Sequence, residues 1–201
     1  MLKIKRFVVG PLQTNCYVVS DPVSSEGMLI DPGDYDPEIE EYVGAEGIKI
    51  LYTLNTHGHA DHIKGNAVFA FPVLIHELDE PCLNDPGRNL SLLTEERFET
   101  VSAERLLKDG DEILLGSVVL KVIHTPGHTV GGISILCGNM LFSGDTLFYE
   151  GVGRTDLPGG DYKMLAESMK KLMTLPDETR VFPGHGQETT IGHERECNPF
   201  L

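Results

Sequence analysis

His57, Gly58, His59, Ala60, Asp61 and His62 follow one another directly, so three imidazoles and a carboxylate fall within six residues. Such groups bind divalent cations, and imidazole with carboxylate suits zinc, iron or manganese. In an extended loop, residues two apart project to the same side, so His57 and His59 can hold one ion. Asp61 and His62, at the mouth of a following helix, can hold a second ion nearby. A histidine-rich surface turn would account for two histidines. Three with an aspartate ask for more.

The same arrangement recurs along the chain. An apolar strand-like run ends, Gly or Pro breaks it, and a metal-competent side chain stands beside the break. The instances are ILYTLNTHGHADH, VIHTPGH, MLFSGD and RVFPGH, and they add His128, Asp145 and His185 to the first four candidates. Gly58, Gly127, Gly144 and Gly184 each adjoin a candidate ligand, and glycine permits the tight backbone geometry that turns a side chain toward a shared point. Several strand ends converging on one place is a rigid way to build a site.

The elements that must position these groups read as follows. Residues 3–9, 15–20 and 27–30 read as strands separated by turns, the last ending at Asp31-Pro32-Gly33. Residues 37–47 form an acidic amphipathic helix closing at Gly47. The apolar run 48–55 reads as a buried strand leading into the histidine cluster. A helix is expected from about Asp61 through NAVFAF, stopped by Pro72, with a strand at 73–76 and a helical stretch near LSLLTEERF. From Asp109 the pattern changes to hairpins, with a tight turn at Gly138-Asn139. Residues 161–175 read as a helix, 180–186 as a last short strand, and the remainder as a polar tail. Strands and helices interleave, which periodicity alone leaves open between α/β and α+β layouts.

The 201 residues suit a single domain, 1–201, with a sizeable core. Lys plus Arg number 16 against 31 Asp plus Glu, a formal charge of -15. That balance repels phosphate backbones and anionic membrane surfaces, so neither nucleic acid nor membrane is an expected partner. A small-molecule substrate is, while oligomeric state is not legible. Cys16, Cys82, Cys137 and Cys197 form no C-x-x-C and read as reduced, mostly packed thiols. The apolar run near the N-terminus is short, interrupted at Gly10-Pro11 and lacks a cleavage motif, so it reads as a strand. A cytoplasmic location is the expectation.

THGHADHIKG, TPGHT, SGDTLF and PGHG, in this order and spacing, resemble the signature of metallo-β-lactamase-fold hydrolases. The likeness runs from LIDPG at 29–33 to His185, and GDTLF followed by GVGRTDLPGGD most resembles the glyoxalase II-like branch. The resemblance implies an α+β fold, a four-layer αββα sandwich with the site at one edge of the paired sheets. It implies two divalent metal ions, zinc first and iron or manganese as alternatives. One ion would take His57, His59 and His128, the other Asp61, His62 and His185, with Asp145 bridging. Asp61 and Asp145 count as catalytic as well as ligating. In the lactamases themselves a cysteine usually stands in the place of Asp145, which argues against antibiotic hydrolysis.

Two cations sharing one water would supply hydroxide at neutral pH, and that hydroxide would attack a thioester carbonyl of hydroxyacylglutathione type. Arg154 is the candidate substrate contact, through a carboxylate, against the plainer reading of an ion pair with Asp156. Asp31 is a candidate to orient a ligand histidine, against a plain Asp-Pro turn. His124 reads as structural, and His76 and His193 as solvated. The glutathione-holding helical domain of glyoxalase II has no counterpart in the sixteen positions after His185, and its contact tyrosines are replaced, Gln187 and Asp156 standing nearby. Thioesterase chemistry is therefore expected ahead of glutathione specificity. The alternative is a persulfide dioxygenase, which shares the G-R-T-D loop and binds one iron. A closed structural zinc site and an RNA-processing nuclease rank below both.

Overall fold

The computed structural model describes residues 2–94 and 101–201. Strands β1 (Lys3–Val9), β2 (Thr14–Ser20), β3 (Glu26–Ile30), β4 (Lys49–Leu54), β5 (Val73–His76) and β6 (Ala103–Leu107) form one sheet in that order. Its first three strands pair antiparallel, and β3 through β6 pair parallel. A second sheet is built from β7 (Glu112–Leu115), β8 (Val118–His124), β9 (Ile133–Cys137) and β10 (Met140–Gly144). Past a small ribbon of β11 (Leu147–Phe148) and β12 (Gly151–Val152), it gains β13 (Arg180–Pro183) and β14 (Thr189–Thr190). Its order is β14-β13-β10-β9-β8-β7.

Alternation explains the layers. On β2, Tyr17 and Val19 face the second sheet, where they join Leu120, Val122, Ile135 and Phe142 in the central core. Cys16 and Val18 point the opposite way, with Phe7 and Leu29, and are covered by Ile39 of α1 (Pro37–Ala45). The outer face of the second sheet is covered by α5 (Tyr162–Leu172). Its Leu165, Met169 and Leu172 recur at helical spacing and pack on Leu141 and Val181. Asp161 caps α5 by accepting from the amides of Lys163 and Met164. Helix, sheet, sheet, helix is the expected four-layer α+β sandwich.

Some elements differ from expectation. The helix after the histidine cluster is two single turns, α2 (Ala60–Ile63) and α3 (Asn66–Phe69). They separate at Gly65, whose amide donates to the Pro32 carbonyl at 2.7 Å, so tertiary contact with the LIDPG turn interrupts the helix. The expected polar tail contains β14 and a helix, residues 191–197, capped by Thr190 and anchored by buried Ile191. β6 was not expected, since AERLL carries no clean alternation; it is recruited by parallel pairing to β5. The last strand ends at Pro183 rather than 186. Of the helical stretch near LSLLTEERF, α4 (Ser91–Thr94) is helical and 95–98 lies outside the described residues.

Candidate metal centre

Five strand ends share one edge of the sandwich. β3 and β4 run parallel, so Asp31 and the segment from Asn55 onward leave the first sheet side by side. β10 and β13 run parallel, and β8 shares their direction because β9 is antiparallel to both β8 and β10. His128, Asp145 and His185 therefore follow the carboxyl ends of β8, β10 and β13. The two sheets are tied together here. Asn15 donates its amide to the Gly184 carbonyl at 2.7 Å and Ile133 donates to that of Thr56 at 2.9 Å. The Tyr17 hydroxyl donates to the Pro183 carbonyl at 2.7 Å.

Of the four glycines expected to ease these turns, two do so through backbone conformation. Gly127 has φ 138 and Gly144 φ 51, regions that L side chains rarely adopt. Gly184 acts by close approach. A Cβ there would meet Asp145 Oδ1 and lie 2.8 Å from His62 Cε1.

All seven expected ligands come together. His57 Nε2 lies 3.1 Å from His59 Nδ1, and His128 Nε2 lies 2.9 Å from that same atom. His128 Nδ1 is 2.8 Å from the Arg154 carbonyl, which only accepts, so that nitrogen carries the proton and Nε2 presents a lone pair. Thr56 Oγ1 donates to Asp31 Oδ2 at 2.6 Å, leaving it to accept from His57 Nδ1 at 3.2 Å. His57 Nε2 is then a lone pair too. Lone pairs aimed at a common point suit a cation.

Beside these three rings stands a second group. His62 Nε2 and His185 Nε2 are 3.3 Å apart, and Asp61 Oδ2 lies 3.5 and 3.2 Å from them. Asp145 reaches both groups, with Oδ1 3.5 Å from His62 Nε2 and Oδ2 3.6 Å from both His128 Nε2 and His185 Nε2. Donor atoms of His57, His59 and His128 lie within 4.8 Å of one another, and so do those of Asp61, His62 and His185. Asp145 Oδ1 and His59 Nε2 are buried without a hydrogen-bond partner. The donor set and the unsatisfied atoms fit divalent metal.

Electrostatics agree. Burial pushes His57 well below its ordinary value, helped by the neighbouring imidazoles, and takes His59 to about 3. These rings are neutral and competent to ligate. Burial also opposes charge on His62, but Asp61, Asp145 and Asp31 outweigh it and raise that imidazole to about 10. Burial likewise opposes the Asp61 charge, yet His62 and His185 hold its carboxyl well below the usual range. The carboxylates demand a positive charge among them, which a metal ion supplies in place of a proton.

A cleft of about 530 Å³ opens over His59, Asp61, His128, Asp145 and His185 and is walled by Leu12, Leu90, Phe148, Val152 and Leu157. Arg154 lines it as expected, but its guanidinium is held by Asp156 through two contacts of 2.7 Å. The ion pair with Asp156 is thus present, and Arg154 stands in the cleft lining. Asp31 Oδ2 lies 3.0 Å from His62 Nδ1, close enough to orient that candidate ligand. His76 is a correction: it is buried, stacked on His124 at 4.2 Å with planes 9° apart, not solvated. His193 is half-buried and meets Glu150 at 3.0 Å. Thr56 and Asp79, both fully buried around the site, were not singled out from sequence. Asp79 stands in the acidic string HELDEP, which carries no signal of burial.

The model of the metallo-beta-lactamase superfamily matches residues 9–185. A probable metallo-hydrolase of Bacillus subtilis, YqgX, is 36% identical, covering 100% of this chain and 98% of its own. Among solved structures, BLEG-1, a B3 metallo-beta-lactamase, superposes with TM-score 0.92 at 38% identity, covering 99% of both chains. TTHA1623 in a di-iron-bound form gives 0.86 at 38% identity, over 98% of this chain and all of that one. ETHE1 from Myxococcus xanthus gives 0.83 at 29%, over 98% and 83%.

Proposed function

The chain belongs to the metallo-beta-lactamase superfamily, and from that premise we propose that it is a two-metal hydrolase of a thioester, in the manner of the glyoxalase II-like branch. The observation that carries this reading is the pair of three-residue groups with Asp145 reaching into both. His57, His59 and His128 would hold one ion, Asp61, His62 and His185 the other, and Asp145 both. Held there, divalent cations would supply activation of water at neutral pH and polarisation of a carbonyl.

The chain's own residues do the rest. Asp31 and Thr56 keep the His62 and His57 rings turned inward. Asp145, which reaches both groups, would also accept a hydrogen bond from the attacking water. Leu12, Leu90, Phe148, Val152 and Leu157 receive the acyl part and exclude bulk solvent. Arg154, at the cleft rim, would meet a substrate carboxylate when Asp156 releases it.

A second reading is favoured by the likeness to ETHE1: persulfide dioxygenation at a single iron, which the three-histidine half and Asp145 would hold; the likeness to a di-iron-bound protein speaks for iron but for two ions. The likeness to a B3 metallo-beta-lactamase removes the force of the argument that Asp145 in place of a cysteine disfavours β-lactams, so these join the test. The experiment is metal analysis of protein purified without added metal, with a panel of acylglutathiones, acyl-CoA thioesters, a β-lactam and glutathione persulfide. Two metals with thioester hydrolysis support the hydrolase. One iron with oxygen uptake on persulfide overturns it.

A further inference from the structure

Asp79 is fully buried behind the centre, in the loop that follows β5, and three donors converge on it. Oδ2 accepts from the Gly58 amide at 2.9 Å and from Thr129 Oγ1 at 2.7 Å, while Oδ1 accepts from the Gly131 amide at 2.7 Å. Gly58 separates His57 from His59, and Thr129 follows His128 directly. One carboxylate therefore ties together the two distant segments that carry the three imidazoles.

Both loops press closely on it. A Cβ at Gly58 would collide with the Cys82 side chain and stand 3.1 Å from the Asp79 carbonyl, and one at Gly131 would stand 2.6 Å from Oδ1, so glycine is what lets each loop close on the Asp79 segment. Asp79 is itself fixed by its own backbone: its amide donates to the His76 carbonyl at 3.0 Å and its carbonyl accepts from Cys82 at 2.9 Å. The other half of the centre is served differently. Asp31 stands against His62, and Thr14 Oγ1 donates to Asp61 at 3.2 Å.

We infer that Asp79 is a positioning residue for the three-histidine half of the centre alone, acting through Gly58 and Thr129 without touching the ligands. This rests on the metal-binding reading above. Residues that hold ligands in place without binding metal typically govern affinity by roughly 10- to 100-fold. An asparagine at 79 would turn an N–H toward at least one of the three donors, so Asp79→Asn disturbs the arrangement at nearly constant volume.

Zinc affinity, by competition with a chelator, is measured for Asp79→Asn in two backgrounds. His185→Ala leaves only the three-histidine half complete, and His128→Ala only the other. The expected result is roughly 10- to 100-fold weaker zinc in the first background and little change in the second. Equal loss in both, or no loss in the first, overturns the inference. Thr129→Val, which removes one donor at equal size, is expected to give a smaller loss confined to the same half, with Thr129→Ser restoring it. If Asp79→Asn does not fold, the Thr129 pair decides by the same criteria. Wild-type protein that binds two zinc ions but hydrolyses no thioester removes the hydrolase reading and leaves this one. Wild-type protein that takes up no zinc removes both.

Discussion

His62 Nδ1 stands 3.0 Å from Asp31 Oδ2, and both side chains are sealed from solvent. Asp31 sits at φ 51, a left-handed conformation that aspartate tolerates better than most residues. From there its carboxylate also accepts from the amide and hydroxyl of Thr56, at 2.7 and 2.6 Å. One turn residue thus orients His62 directly and His57 through Thr56.

Asp31→Ala should therefore weaken zinc at the Asp61/His62/His185 half by roughly 10- to 100-fold. Chelator competition in the His128→Ala background reads that loss. Unchanged affinity would mean that Asp31 only shapes the turn.

Asp145→Ala should abolish hydrolysis and reduce bound metal, because Asp145 is the side chain that approaches His62, His128 and His185 together. Metal content and rate are measured on the same preparation. Normal values of both would remove Asp145 from the centre.

Arg154 and Asp156 form an exposed, solvent-screened pair, so neither Arg154→Ala nor Asp156→Ala should change stability measurably. Their effects on catalysis should be opposite. Arg154→Ala raises KM for anionic thioesters more than for neutral ones, whereas Asp156→Ala frees the guanidinium and lowers KM for the anionic set. Equal shifts on both substrate classes would take Arg154 out of substrate contact.

Phe142 lies at the centre of the inter-sheet core, 5.4 Å from the Tyr17 ring and 5.1 Å from that of Phe182. Phe142→Ala should cost about 3–5 kcal/mol, through lost burial and the cavity left behind. Denaturant unfolding measures it, and a cost below about 1 kcal/mol would mean that the aromatic cluster repacks freely.

Asp21 accepts from the amides of Val23 at 3.1 Å and Ser117 at 3.2 Å, and these bonds hold its carboxyl below the ordinary value. A carboxyl lowered in the folded state stabilises above its ordinary pKa, and that contribution is lost as pH falls through the folded value. The gap in melting temperature between wild type and Asp21→Asn should therefore be largest near neutrality and close in acid. A constant gap from pH 7 to pH 3 would contradict this.

The seven candidate ligands were legible because each breaks a strand pattern with Gly or Pro beside a metal-competent side chain, a local signal that survives without coordinates. The apolar run within 15–20 and the spacing of Leu165, Met169 and Leu172 likewise announced a strand and a helix face. What depended on contact between distant segments was not readable. The split of α2 from α3 comes from Gly65 meeting Pro32, the burial of His76 from stacking on His124, and the recruitment of β6 from an open edge on β5. Asp79 is the sharpest case. Its string of acids reads as a solvated surface, and only the packing of two glycine loops against one carboxylate gives it a task, because a buried charge persists where donors from elsewhere in the fold converge on it.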